Sequence, residues 1–199
     1  MGTPPRVSES PKRPGPEKSP PAWEVLGREP LQDCRVFRVQ RATVRSPHTA
    51  RTHPFYTIAA EHWVNVVATT ALGELVMVRQ WRHGASKLTL EIPGGMIDPG
   101  EAPEVAAARE LLEETGYAPQ RIRPLGHVNP NPALFDNRVH TYLAEQCERV
   151  REVENGPLEE TLVELVPAAE LPARLRAGEI DHALVIAALH WWRLDQDAG

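Results

Sequence analysis

Cysteine is scarce: the 199 residues hold only Cys34 and Cys147. Neither lies in a CxxC pair and no HxxxH spacing occurs, so the four nitrogen or sulfur ligands of a structural zinc site are missing. Two such thiols are expected to be free, buried or partly buried, in a reducing compartment. Long apolar runs are also lacking. None approaches the ~20 residues of a membrane helix, and the N-terminus has no apolar core of a secretory signal. The expectation is a cytoplasmic protein without membrane contact. An excess of positive charge is absent too: 22 Lys and Arg face 27 Asp and Glu, for a net charge of -5. This excludes the basic footprint of a nucleic-acid polymer binder. A nucleotide substrate remains allowed, because a metal ion can supply positive charge.

Proline is abundant, and it is concentrated. Residues 1–21 carry seven prolines, several charges and no aromatic ring. Such a segment buries too little apolar surface to offset its chain entropy, so 1–21 is expected to be a disordered tail. Order is expected from near Trp23, with strands at 33–45, 55–61 and 63–70. A hairpin is expected through Leu72-Gly73-Glu74 into Leu75–Val78, then a strand from Leu88 to Ile92. Pro93-Gly94-Gly95 signals a loop. Residues 102–115 have no glycine and a single early proline, Pro103, which predicts a helix stopped by Gly116. Strands at 122–128, 138–144 and 161–166 and helices at 168–176 and 181–195 complete the pattern, with Asp181 as a candidate cap of the last helix. Mixed strands with three helices predict an α+β fold of α/β/α layers: residues 22–60 as N-terminal strands, residues 61–199 as the main domain.

On a helix over 103–115, Glu110, Glu113 and Glu114 share one face with Ala106 and Ala107 one turn earlier. Val105, Ala108, Leu111 and Leu112 point away and are expected to pack on a sheet, the alanines leaving room for substrate. Alone, three such glutamates are an ordinary solvated acidic face. Their mutual repulsion opposes the helix by a few tenths of a kcal/mol per pair, with only Arg109 nearby to soften it. A hard divalent cation removes that repulsion and prefers carboxylate oxygens. Gly94, Gly95 and Gly100 add a loop whose backbone can approach a metal or phosphate closely.

From Gly95 the order is Gly, five residues, Glu101, seven residues, Arg109-Glu110-Leu111, one residue, Glu113-Glu114, one residue, Gly116-Tyr117. This resembles the Nudix box over residues 95–117, with Tyr117 at a position usually aliphatic. The resemblance implies a Nudix fold, a Mg²⁺ cofactor (or Mn²⁺), and water attack on a diphosphate. It implies Glu110 and Glu114 as metal ligands, Glu113 as a ligand or water-orienting group, a backbone ligand at Gly94, and Arg109 as holder of the carboxylates. By the same resemblance, Glu101 is expected to be structural or to lie in the outer shell of the metal site.

The flanks, Gln80-Trp81-Arg82, Leu90–Gly95, Asn129–Pro132 and Asn137–His140, resemble ADP-ribose and nucleotide-sugar pyrophosphatases. This implies a nucleoside diphosphate sugar or ADP-ribose as substrate. Other diphosphate substrates (dinucleoside polyphosphates, NADH, modified nucleoside triphosphates) and a non-catalytic sensor are the alternatives. Arg82 and Arg138 are candidate phosphate or sugar contacts, and Glu91 a partner of Arg82 or of a sugar hydroxyl. Trp63 and Trp81 are candidate base-stacking rings; ordinary core packing is the competing reading for each. Glu159 and Glu160 are candidate general bases, with no choice between them. Trp191 and Trp192 are expected in core or interface. By the same resemblance, residues 22–60 are expected to pair two subunits into a homodimer.

Overall fold

The computed structural model describes residues 19–153 and 160–198. Most of the proline-rich segment, the candidate base Glu159 and the neighbouring Glu154 therefore lie outside the described residues. Ser19 to Trp23 carry no regular structure and are exposed.

Strands β1 (Glu24–Asp33), β2 (Arg38–Arg45) and β3 (Thr52–Ala59) form an antiparallel sheet of their own. The sequence suggested one strand over 33–45. Instead the chain turns at Cys34–Phe37, where the Cys34 amide bonds to the Phe37 carbonyl, and β1 lies upstream of that turn. Every residue of β1 is exposed, so the strand lacks the half-buried alternation by which strands are usually recognised.

The second sheet has eight strands. They are β4 (Trp63–Thr70), β5 (Glu74–Arg82), β6 (Lys87–Glu91), β7 (Gly94–Met96), β8 (Tyr117–Ala118), β9 (Arg121–Val128), β10 (Val139–Arg149) and β11 (Thr161–Pro167). β4 lies at the centre, parallel to β10, and its buried run Val64, Val66, Val67, Ala68 suits a strand covered on both faces. β5 runs antiparallel between β11 and β6. The Pro93-Gly94-Gly95 signal marks a close approach as well as a bend: Gly94 to Met96 pair with Asn65 to Trp63 as β7.

Helix α1 (Pro103–Thr115) covers one face of this sheet and α3 (Ala183–Gln196) the other; α2 (Leu171–Arg176) follows a 3-10 turn at Ala168–Glu170. Two apolar clusters result. Val67, Leu75, Met77, Leu90 and Leu143 pack with Val185, Ala188 and Leu189 of α3. Val64, Val66, Ala68, Val76, Tyr142 and Ala144 pack with Ala106, Ala107 and Leu111 of α1. This is the expected α+β architecture, a mixed sheet between helices. Trp192 packs at the edge of the α3 cluster and Trp191 lies against Gly126. Cys147 is buried with its thiol pushed up to about 12 by burial, and both cysteines are free.

Two helix expectations are corrected. Ala106 and Ala107 are fully buried against the sheet, whereas Val105 is 59% exposed. Small side chains let α1 sit close to β4, so the alanines provide proximity rather than room for substrate. Glu110 and Glu114 share the packed side of the helix and are drawn into the protein, while Glu113 keeps 45% of its side chain exposed. Asp181 does not cap α3: the N-cap is His182, without a side-chain cap bond, and Asp181 instead pairs with Lys87. Gly116 does stop α1, in the left-handed region at φ 73°.

Candidate active site

A cavity of about 880 Å³ opens between α1, the β5–β6 hairpin, the start of α3 and the β1–β2 turn. Its acidic wall is α1. Glu114 is buried, and its Oε2 accepts the Gly94 N–H at 2.9 Å. The Glu110 carboxylate lies where a side chain on Gly95 would be, and a side chain on Gly94 would run into the Val64 carbonyl. Both glycines are thus required by close approach.

Arg109 organises this wall. Its Nε and Nη2 donate to Glu101 at 3.0 and 2.9 Å, its Nη1 to Glu110 at 2.8 Å and Glu113 at 3.3 Å, and its Nη2 also to the Met96 carbonyl at 3.1 Å. The Glu101 bond is the largest reason its pKa is raised; burial opposes it and Glu110 adds to it. Glu101 is correspondingly held below the usual carboxylate range by Arg109. It is the anchor of Arg109.

The opposite wall is built on a carboxylate. Glu91 is 2% exposed and accepts Arg82 Nε and Nη2, both at 2.8 Å, and the Thr89 hydroxyl at 2.7 Å. His182 Nδ1 lies 2.8 Å from its Oε2. Burial alone would raise the Glu91 pKa. The Arg82 bond, then those of His182 and Thr89, outweigh it and hold the group well below the usual carboxylate range. Lys87, paired with Asp181, and Gln80 also line this wall. Trp63 and Phe135 meet edge to face at 6.0 Å, and Val36 and Phe37 of the β1–β2 turn add an apolar side.

Glu110, Glu113, Glu114, Gly94, Arg109, Arg82, Glu91 and Trp63 all border this one cavity. Trp81, Arg138 and Glu160 do not. Trp81 and Arg138 are exposed outside it, and Arg138 touches its surroundings through its backbone, the N–H to His62 Nδ1 and the carbonyl from Trp63. Trp81 and Arg82 are neighbours on a strand, so they face opposite sides of the sheet. Glu160 is exposed, while Thr161 next to it donates to the Glu114 carbonyl at 2.9 Å. Sequence reasoning missed His182, Lys87, Gln80, Phe37 and Phe135. The bond from His182 to Glu91 spans 91 residues, and no local pattern announces it.

The donor set fits a hard cation. Among the described residues no three His, Cys, Asp or Glu side chains already form a metal-holding group. Mg²⁺ needs none: it takes one or two carboxylates and completes its shell with water and substrate phosphates. Glu110 and Glu114, on the packed side of α1 beside the glycine strand, offer that pair.

The NUDIX domain family model matches residues 62–189, which include the whole carboxylate helix and the cavity wall around Glu91. The chain belongs to the Nudix family. This Nudix hydrolase is 33% identical over 137 residues to an ADP-ribose pyrophosphatase of Bacillus subtilis (strain 168), covering 67% of this chain and 72% of that one. It is 31% identical over 171 residues to an ADP-ribose pyrophosphatase of Mycobacterium tuberculosis (strain ATCC 25618 / H37Rv), covering 84% and 81%. Among solved structures, a crystal structure of an ADP compounds hydrolase superposes with a TM-score of 0.80 at 22% identity, over 92% of this chain and 98% of that one. That likeness is one of fold. The Nudix match and these relatives make the chain an enzyme.

Proposed function

We propose that this Nudix hydrolase cleaves the diphosphate bond of ADP-ribose or a nucleoside diphosphate sugar, giving a nucleoside monophosphate and a sugar phosphate. The observation that carries the reading is the pairing of opposite walls across one cavity, carboxylates on α1 facing Arg82 on β5. Such a site grips a diphosphate from both sides, and the relatives named above are ADP-ribose pyrophosphatases.

Glu110 and Glu114 are the proposed holders of Mg²⁺, for which Mn²⁺ substitutes, with the Gly94 backbone alongside and Glu113 as a further ligand or orienter of water. The bound ion polarises phosphoryl oxygens and lowers the pKa of its water. Arg109 keeps Glu110 and Glu113 aimed into the cavity, Arg82 holds phosphate charge, and Trp63 gives the base a flat apolar surface. Glu159 and Glu160 remain the proposed sources of the general base, delivered by the segment that precedes β11. The β1–β3 sheet, with Trp23, Val25, Phe55 and Tyr56 exposed, is the proposed pairing surface of a homodimer. No helix among the described residues is long and apolar enough to cross a membrane; a cytoplasmic location is proposed with the two free cysteines as support.

A hydrolysis screen with Mg²⁺ over ADP-ribose, ADP-glucose, GDP-mannose, UDP-sugars, NADH and nucleoside triphosphates tests the reading. Preferred turnover of a nucleotide sugar or ADP-ribose is expected; preference for triphosphates or NADH overturns it. Light scattering at one chain mass overturns the dimer.

A further inference from the structure

His182 is the N-cap of α3, yet its side chain makes no cap bond. The residues that cap well carry a short side-chain oxygen that reaches the first free N–H groups of the helix. Here the imidazole is turned the other way, with Nδ1 2.8 Å from Glu91 Oε2. That carboxylate already accepts two bonds from Arg82 and one from the Thr89 hydroxyl. It is an ionised acceptor, so His182 Nδ1 must donate. In the neutral imidazole a proton on Nδ1 leaves Nε2 with a bare lone pair. The two ring nitrogens point to different sides, so Nε2 faces away from Glu91. Glu91 is 2% exposed and His182 38%, and His182 lines the cavity. The ring is thus fixed at its buried edge and presents an acceptor at its open one. Among the described residues the Glu91 bond is the ring's one hydrogen bond.

What that nitrogen can hold follows from its lone pair. A phosphoryl oxygen is itself an acceptor and an anion, so the lone pair and the carboxylate behind it turn it away; it belongs with Arg82 and the metal. A sugar hydroxyl donates. It also accepts, and the rim beside His182 meets both needs: Asp181 and Lys87 pair there, and both line the cavity. The flat base has an apolar place elsewhere, among Trp63, Phe135, Val36 and Phe37. Resting on the reading of this enzyme as a nucleotide-sugar hydrolase, we infer that His182 is a specificity-determining residue whose Nε2 accepts a hydrogen bond from a sugar hydroxyl of the substrate. It sorts substrates that carry the hydroxyl from those that lack it, and Glu91 keeps the ring in the one tautomer able to do so.

The test crosses one variant with analogues of ADP-ribose, or of the nucleotide sugar that is turned over best, each lacking a single hydroxyl. His182→Asn places an amide donor where Nδ1 lies, which keeps the Glu91 bond, and removes the Nε2 acceptor. Wild-type kcat/KM for the parent substrate is expected to exceed that for one deoxy analogue about three- to tenfold, the loss of one neutral hydrogen bond. In His182→Asn that ratio is expected to fall to near one, through KM, while the ratios for the other deoxy analogues keep their wild-type values. The analogue that responds tells the nucleoside ribose from the second sugar. A merely supporting residue would slow every analogue alike, and unchanged ratios in the variant overturn the proposal. Discrimination lost instead against an analogue lacking the base amino group overturns it too. Should the variant fail to fold, the wild type decides by nitrogen NMR at about pH 8, above the usual imidazole range. His182 Nε2 is expected to be unprotonated, and to shift when an uncleavable methylene-bridged analogue of the same substrate binds. A proton on Nε2, or an unmoved resonance, overturns the proposal. If the wild type turns over no nucleotide sugar, the functional reading falls and this inference with it; turnover with unchanged ratios removes His182 alone.

Discussion

The two walls of the cavity are built on the same device with the signs exchanged. On α1 a cation, Arg109, gathers Glu101, Glu110 and Glu113. On β6 an anion, Glu91, gathers Arg82, Thr89 and His182. Arg109 is more exposed than Glu101 and Glu110, which it joins, whereas Glu91 lies deeper than Arg82 and His182. The centres differ in environment. Arg109 is 28% exposed and its partners number several carboxylates, so removing one leaves others; Glu91 is 2% exposed and every one of its bonds holds a buried charge. A buried carboxylate is tolerable only while its partners stay. The acidic wall is therefore the more forgiving in stability and the less forgiving in chemistry.

That contrast can be broken at its ends. The largest effect is expected for Glu114→Gln, which should lower Mg²⁺-dependent turnover by about two or more orders of magnitude while circular dichroism and melting temperature stay near wild type. Near-normal turnover would remove Glu114 from the metal site. Next comes Gly95→Ala, whose methyl would displace the Glu110 carboxylate. Turnover at low Mg²⁺ should fall about 10–100-fold, as when metal ligands lose their alignment, and raising Mg²⁺ should recover part of it; a loss independent of Mg²⁺ would argue against Glu110 as ligand.

Glu91→Gln should cost less turnover and more stability, about 2–3 kcal/mol near neutral pH by chemical denaturation. The pH sign follows from its depressed pKa. The folded carboxylate is stabilised above its unfolded value, about 4.3, and that stabilisation is lost as pH falls towards the folded value. The gap between wild type and variant should be flat above about pH 5 and shrink below it. A gap unchanged down to pH 3 would mean that the Glu91 charge is not what stabilises the wall. The smallest effect is expected for Val105→Lys, within about 0.5 kcal/mol, because Val105 faces water. A large destabilisation would restore the original reading of which face of α1 packs.

What was legible in the sequence followed local periodicity. β4 was bounded correctly because Val64, Val66, Val67 and Ala68 make an apolar run, interrupted only by Asn65, between turns. The end of α1 was legible because Gly116 is chemically explicit. The packed face of α1 was legible only at Leu111, which is fully buried as expected, since a helical wheel orders residues around an axis and does not say where the sheet lies. Alanine looked like open space and proved to be the contact surface, at Ala106 and Ala107. β1 escaped because none of its residues is buried. In the site, the residues of the box came with their spacing, and Arg82 with Glu91 came from the flanks. His182 and Phe37 are brought in by tertiary structure alone, whereas Gln80 lay in the quoted flank, on the same strand face as Arg82, without being given a role. Trp81 and Arg138 were credible by type, yet strand alternation turns Trp81 away from the cavity that Arg82 borders, and Arg138 is exposed outside it.

The tie between the two sheets has a kinetic meaning. Ile58 of β3 donates its N–H to the Leu134 carbonyl at 2.7 Å and accepts from the Asp136 N–H at 3.2 Å, and between them Phe135 rests on Trp63. The aromatic corner of the cavity is thus clamped to the outer hairpins, while the carboxylates of α1 are clamped to β4 and β7. Substitutions far out along β2 or β3 have a mechanical route to the ring that would meet a nucleobase, and none so short to the atoms that would break a bond. Variation in the N-terminal hairpins should surface as discrimination among substrates, with the rate of the chemical step left alone.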